Sequence, residues 1–254
     1  MYDCSAKRLH FYGKKAAVRN ANATISGEKI LLMGPNGSGK TTLLRAIAGI
    51  IPYQGSIKVD DEEVSRIKNH NYLATNLPEV FCIGVKLKDI IYVYEELKNV
   101  DGTLAREMLK DVGITELNKK IYELSAGQQI LFRNCLALAS KPKILLMDEP
   151  FENVDVAKRK TVVGWIMEFG KEGIIVTHEI DMAKLFITWK ASLILEGKLY
   201  KTIGIGELLS LSLQKGAVPD AILVIEVGEN KFSLVKGEGY KVEDMSVIDK
   251  IYML

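Results

Sequence analysis

The chain has 254 residues, enough for one large or two small domains with a proper core, and its 48% hydrophobic and 26% charged composition is ordinary globular usage. With 34 basic against 32 acidic side chains the formal net charge is +2, so no global electrostatic case exists for a nucleic-acid or anionic-membrane partner. No apolar run approaches the roughly 20 residues that span a bilayer and no signal peptide opens the sequence, so any membrane role is expected to come through a partner. The three cysteines, Cys4, Cys82 and Cys135, are scattered and form no metal-ligand pair, which fits reduced thiols in a cytosolic compartment.

Residues 1–29 are weakly patterned, with Phe11-Tyr12-Gly13-Lys14-Lys15 as the clearest turn signal. Ala21, Ala23 and Ile25 alternate with Asn22, Thr24 and Ser26 and stop at Gly27, which predicts a strand. Tyr12 is read either as a hairpin aromatic packed on the sheet or as a face on which a nucleotide base stacks.

Ile30-Leu31-Leu32-Met33 then reads as a short buried strand, and Leu43-Leu44-Arg45-Ala46-Ile47-Ala48 as the body of a helix. Between them stands Gly34-Pro35-Asn36-Gly37-Ser38-Gly39-Lys40-Thr41-Thr42. Strand, glycine-rich loop and helix are the context in which G-x-x-x-x-G-K-[ST] cradles phosphates. The glycines let several backbone N–H groups point inward, the helix adds its positive end, and Lys40 reaches toward the β- and γ-phosphates. Thr41 offers its hydroxyl to a Mg²⁺ that bridges those phosphates. The chain is therefore expected to bind a nucleoside triphosphate.

Further along, Gly55 to Asp60 predicts a short strand and Asn71 to Asn76 another, ending in a loop at Leu77-Pro78-Glu79. From about 79 to 140 helical spacing takes over, through Ile90, Ile91, Val93, Tyr94 and Leu97, then Leu104, Met108, Leu109 and Val112, then Leu131 to Ala139. This block reads as a helical insertion in an α/β protein. Leu124-Ser125-Ala126-Gly127-Gln128 is a small-residue turn leading into its third helix. Ile144-Leu145-Leu146-Met147 is a buried strand that ends on Asp148 and Glu149. An acid at the carboxyl end of a parallel strand lies where ligands bind in open α/β sheets, so Asp148 is a candidate Mg²⁺ ligand and Glu149 a candidate for polarising an attacking water. Gly173 to Glu179 repeats the pattern of an apolar strand with a polar end, here His178, while His10 and His70 read as structural. Leu193 to Tyr200 predicts a hairpin, and Gly228-Glu229-Asn230 predicts another between Ala221–Val227 and Lys231–Val235.

Taken in order, these motifs resemble the ATPase subunits of ATP-binding-cassette transporters over residues 9 to 210. Gly34 to Thr42 matches the family's Walker A loop, Leu124 to Gln128 its signature, usually LSGGQ, and Ile144 to Glu149 its Walker B strand with the catalytic glutamate. Asn153 to Asp155 falls at the D-loop, His178 at the switch histidine and Tyr12 at the adenine-stacking aromatic. A signature just upstream of Walker B separates this family from kinases and GTPases.

The resemblance implies an α/β fold: a P-loop NTPase core with a mostly parallel sheet, an antiparallel β-subdomain and a helical insertion. It implies a division into a cassette over 1–210 and a small hairpin-containing extension over 211–254. It also implies ATP hydrolysis with Mg²⁺, in a head-to-tail homodimer or heterodimer of cassettes, where Ser125 and the Gly127 amide touch the γ-phosphate held by the partner's Lys40. A separate transmembrane permease subunit would keep the chain cytoplasmic and peripheral on the inner face of the membrane. The sequence departs from the family at Ala126, where a glycine is usual, at Leu131 and Leu136, where arginines are usual, and in the D-loop, Glu152-Asn153-Val154-Asp155. No glutamine stands at the Q-loop; Asn76 is the nearest amide and a candidate metal ligand, with Thr75 and Glu79 as rivals. Single-cassette architecture and the lack of room for a coiled coil favour transport, with a soluble cassette ATPase in cofactor assembly as the alternative. The loop with Phe81, Ile83 and Val85 is expected to form an exposed apolar patch that receives the permease.

Overall fold

The computed structural model describes the backbone of residues 2–12, 15–67, 72–81, 86–98, 100–246 and 248–253, and the side chains of those between 16 and 251. Through Ser65 the chain forms strands β1 (Tyr2–Tyr12), β2 (Lys15–Ile25) and β3 (Lys29–Met33), helix α1 (Lys40–Ile47), and strands β4 (Tyr53–Val59) and β5 (Glu62–Glu63). It continues with β6 (Leu73–Thr75), α2 (Leu87–Lys98), α3 (Gly102–Asp111), α4 (Ala126–Ala139), β7 (Ile144–Asp148), α5 (Val156–Glu168) and β8 (Glu172–Thr177). The remainder supplies α6 (Ile180–Ala183), β9 (Lys190–Leu195), β10 (Lys198–Leu199), β11 (Ile203–Gly204), α7 (Ile205–Ser210), β12 (Ser212–Lys215), β13 (Leu223–Val227), β14 (Asn230–Val235) and β15 (Tyr240–Lys241). These elements fall into two compact units, one from residues 1–65 with 176–254 and one from residues 66–175.

In the first unit one sheet runs β5-β4-β1-β2-β10-β9-β3. Its outer part is antiparallel: β1 pairs with β2 from Tyr2↔Ile25 to Tyr12↔Lys15, and with β4 through a register shift between Ala6 and Arg8. Its inner pair, β3 and β9, is parallel, with Leu31 opposite Ala191 and Met33 opposite Leu193. Ile30 to Met33 are all buried, as an unbroken apolar run must be when both sheet faces are covered. The expected hairpin at Leu193–Tyr200 is β9 and β10, closing with Leu195 opposite Lys198. A second, four-stranded antiparallel sheet, β13-β14-β12-β15, follows α7. Its β13 and β14 pair down to Val227↔Asn230, around Gly228-Glu229.

The second unit carries the parallel pair β6 and β7, with Leu73 opposite Ile144 and Thr75 opposite Leu146, and β8 on the other side of β7. Helices α2, α3 and α4 pack in succession. Asp101 starts α3 by accepting a hydrogen bond from the Leu104 N–H at 3.0 Å, a side-chain N-cap. Helix α4 is buried along nearly its whole length, which is why its apolar residues run most of the way round and give little helical periodicity.

Phe81 does not contribute to the expected apolar patch. It is 2% exposed and stacks on Tyr94 at 5.0 Å between ring centroids with the planes 4° apart, so it is core. Ile83 and Val85 lie outside the described residues. The stretch 1–29 is also better organised than its pattern suggests. Strand β1 is a middle strand, bonded to β2 and β4 along both edges, so its conformation is set by partners rather than by its own alternation.

One fully buried polar side chain interrupts the apolar body of α4. Asn134 is fully buried, its Nδ2 donating to the Pro150 carbonyl at 2.9 Å and its Oδ1 accepting from Asn76 Nδ2 at 2.8 Å. Asn134→Ala leaves both groups buried without that partner and is expected to cost about 1–3 kcal/mol in urea unfolding. An unchanged midpoint and slope would show that these bonds do not stabilise the fold.

Candidate nucleotide-binding site

The phosphate loop is held by the first unit. Strand β3 delivers the chain to Gly34, and α1 begins at Lys40 with Gly39 as its N-cap, at φ 105°. A Cβ at Gly39 would lie 2.7 Å from Val18 Cγ2 and 2.8 Å from the Ala17 carbonyl oxygen, so β2 leaves room there for hydrogen alone. The β9–β10 turn supports the loop from another side, the Gly197 N–H donating to the Ser38 carbonyl at 2.9 Å. The first bond inside α1 is Leu43 N–H to the Gly39 carbonyl at 2.9 Å, so the amides of Thr41 and Thr42 precede the helical ladder and lie at its positive end.

Lys40 is 5% exposed and donates through Nζ to the carbonyl oxygens of Gly34 at 2.7 Å and Pro35 at 2.9 Å, which places its ammonium against the loop. Ser38 Oγ is buried with no hydrogen-bond partner among the described residues. A buried lysine, helix-end amides and an orphaned hydroxyl in one loop fit an anionic phosphate chain. Thr41 and Thr42 are half-buried, whereas Asn36 and Gly37 are exposed at the loop's crown. Tyr12 lies in β1, and its side chain is outside the described residues.

The second unit holds the acidic strand and the signature. Strand β7 is buried up to Met147 and emerges at Asp148 and Glu149, both half-buried. Glu149 takes φ 41°, a left-handed conformation costly for a non-glycine residue and a mark of a site whose geometry the surroundings impose. Asn76 brackets Asp148: its Oδ1 accepts from the Asp148 N–H at 2.7 Å and its Nδ2 donates to the Asp148 carbonyl at 3.0 Å. Asn76 is 2% exposed, and a further bond to Asn134 occupies the same Nδ2 group. Of its rivals, Thr75 is 7% exposed and accepts through Oγ1 from the Leu77 N–H at 3.2 Å. Glu79 acts on Arg133: burial lowers the pKa of that guanidinium, and the charges of Glu79 and Asp148 pull it back up.

Ser125 and Gln128 form a capping box at the start of α4. Ser125 Oγ accepts from the Gln128 N–H at 3.3 Å, and Gln128 Oε1 accepts from the Ser125 N–H at 3.1 Å. Leu124 is buried and its carbonyl accepts from Gln129 Nε2 at 3.0 Å. Ser125 and Ala126 are exposed while Gly127 is buried, its missing Cβ allowing the Asn153 carbonyl to approach to 2.1 Å of where that atom would stand. The methyl of Ala126, at the position of the family's usual glycine, therefore stands on an exposed residue, and Gly127 is the position that packing requires. Asn153, at φ 55°, turns the chain between β7 and α5.

His178 follows β8 at its carboxyl end, half-buried, with its carbonyl accepting from the Ile248 N–H at 2.9 Å. Sequence reasoning passed over Asn134, although an asparagine beside Arg133 in the otherwise apolar stretch Ile130–Ala139 was a visible signal. It also passed over Asp249, whose Oδ1 accepts from the Asn36 N–H at 2.9 Å and which no local pattern marks.

The family model for ABC transporters matches residues 18–152. The taurine import ATP-binding protein TauB of Escherichia coli (strain K12) is 34% identical over 193 residues, covering 70% of this chain and 73% of TauB. The solved structure of a candidate cobalt transport ATP-binding protein, cbiO-2, is similar over 100% of this chain and 99% of its own, at TM-score 0.91 and 45% identity. The dimeric cassette MJ0796, solved in a post-hydrolysis state bound to ADP and Pi, shares the fold at TM-score 0.69 and 22% identity over 81% of this chain and 99% of its own. On these matches the chain belongs to the ABC transporters, as an ATP-binding ATPase subunit.

Proposed function

We propose that this subunit hydrolyses ATP at sites completed by a second cassette, and so drives a separate transmembrane permease from the cytoplasmic face of the membrane. The observation that carries the reading is the contrast within the signature: Ser125 and Ala126 are exposed at the N-terminus of α4 while Gly127 is buried. A signature turned to solvent, at a helix end suited to anions, is what a phosphate bound by another copy would meet. Among the described residues no helix is long and apolar enough to cross a membrane.

In this reading the amides of Gly34 to Thr42 and the Lys40 ammonium hold the β- and γ-phosphates, and Tyr12 carries the base. The hydroxyl of Thr41 and the carboxylate of Asp148 are the hard oxygens that would hold Mg²⁺, which when bound would supply neutralising charge to the phosphates. The amide of Asn76 is already bonded to the backbone of Asp148, so we assign it to positioning that carboxylate rather than to ligation. Glu149 orients the attacking water, His178 stabilises the geometry around the γ-phosphate, and Leu124 to Gln128 close the site from the partner copy.

We further assign residues 1–210 to the cassette, with the helical insertion at about 79–140, and 211–254 to an appended module. Relatives named for taurine import and for cobalt transport differ in cargo. From them we take uptake of a small solute, with the cargo chosen by the permease.

Lys40→Ala is expected to weaken ATP binding on the order of 100-fold in calorimetric titration, since a buried charged partner of the phosphates is lost. Unchanged affinity would remove Lys40 from the site. Glu149→Gln is expected to lower hydrolysis by a factor on the order of 10³ while ATP stays bound. Gel filtration of that variant with ATP and Mg²⁺ is then expected to show a dimer, and a monomer under those conditions would exclude a site completed by a second copy.

A further inference from the structure

The segment around Met245–Ile251 lies against the two loops of the first unit that carry Asn36 and His178. Ser246 accepts through its carbonyl from the Ile180 N–H at 3.0 Å, and the Ile248 N–H donates to the His178 carbonyl at 2.9 Å. Met245, Ile248 and Ile251 are 1%, 4% and 3% exposed, so apolar anchors seat the segment on both sides of Asp249. Asp249 turns its carboxylate into the phosphate loop, where Oδ1 accepts from the Asn36 N–H at 2.9 Å. Its second oxygen, Oδ2, is buried with no hydrogen-bond partner among the described residues.

A buried carboxylate oxygen without a hydrogen bond is costly to keep, and a protein that only needed to pin this segment could use a neutral side chain. A carboxylate on a phosphate-loop amide is an anion in a cradle whose amides, lysine and helix end attract anions. ATP brings several negative charges to the same loop. Like charges a few ångströms apart in a part-buried site repel strongly, so carboxylate and phosphate exclude one another.

We propose that Asp249 is an internal competitor of the nucleotide phosphates, an autoinhibitory anion that nucleotide binding must displace from the Asn36 amide. This rests on the reading of Gly34–Thr42 as the phosphate loop. Because Ile248 on the same segment bonds the His178 carbonyl, displacing Asp249 also releases the strand end that carries His178. Nucleotide occupancy is thereby linked to the position of the segment after β15. Apparent affinity falls by the fraction of molecules in which the segment has withdrawn, and removing the carboxylate removes that penalty.

The test uses the full chain, with ATP as probe. Asp249→Ala and the isosteric Asp249→Asn are each expected to bind ATP roughly 3- to 10-fold more tightly than wild type in calorimetric titration. In wild-type protein, hydrogen–deuterium exchange at the Ile248 amide is expected to rise when ATP is added. If Asp249→Ala fails to fold, Asp249→Asn and the wild-type exchange experiment decide the matter. Wild type that binds ATP while the Ile248 amide stays equally or better protected, or an Asp249→Asn variant that binds no more tightly, would overturn the proposal. Wild type that binds no ATP at all would overturn the phosphate-loop reading instead.

Discussion

Everything chemical in the first unit depends on one close backbone approach. Gly39 lies so near Ala17 and Val18 that a methyl group there would overlap the second strand. Only because that space is empty can the loop pass so close to the second strand at the start of α1. The hairpin turn at Gly197 braces the same loop from the Ser38 carbonyl. The cradle is thus held by main chain on main chain, which side-chain substitution elsewhere cannot easily retune. Lys40 and Ser38 then add charge and a hydroxyl to a shape already fixed.

The second unit solves a different problem, holding an acidic pair at the end of a buried strand. Asp148 leaves the sheet where backbone partners run out, and Asn76 supplies them from its side chain. Asn134 fixes Asn76 in turn and reaches past it to Pro150, so a chain of amides ties β6, α4 and the turn after β7 together. Such a network is stiff only when every member is satisfied, and here both asparagines use donors and acceptors alike. The left-handed backbone of Glu149 is sustained next to this network, where well-bonded neighbours can hold such strain.

The sequence announced the parts of this protein whose chemistry is local. A phosphate loop needs a glycine, a lysine and a threonine at fixed spacing, and a signature needs a small-residue turn that caps a helix, so both were readable as strings. The S-x-x-Q pattern of Ser125 and Gln128 is itself the capping box found at the start of α4. What stayed hidden depends on partners far away in the chain. The strand at 2–12 takes its form from neighbours on both sides, and Phe81, expected outward after the Pro78 turn, finds a stacking partner in Tyr94. Asp249 meets Asn36 across 213 positions, a separation at which periodicity and motif carry no information.

Those two classes of feature divide the labour of the molecule. The local motifs carry the residue types that phosphate chemistry needs. The long-range contacts join those loops to distant segments of the chain, as Asp249 joins Asn36. Here the joining segment carries a carboxylate into an anion site and bonds the strand end that bears His178. A nucleotide that enters this loop changes the electrostatic balance of a distant stretch of the chain directly, by taking the place of its charge, and needs no relay through the core to do so.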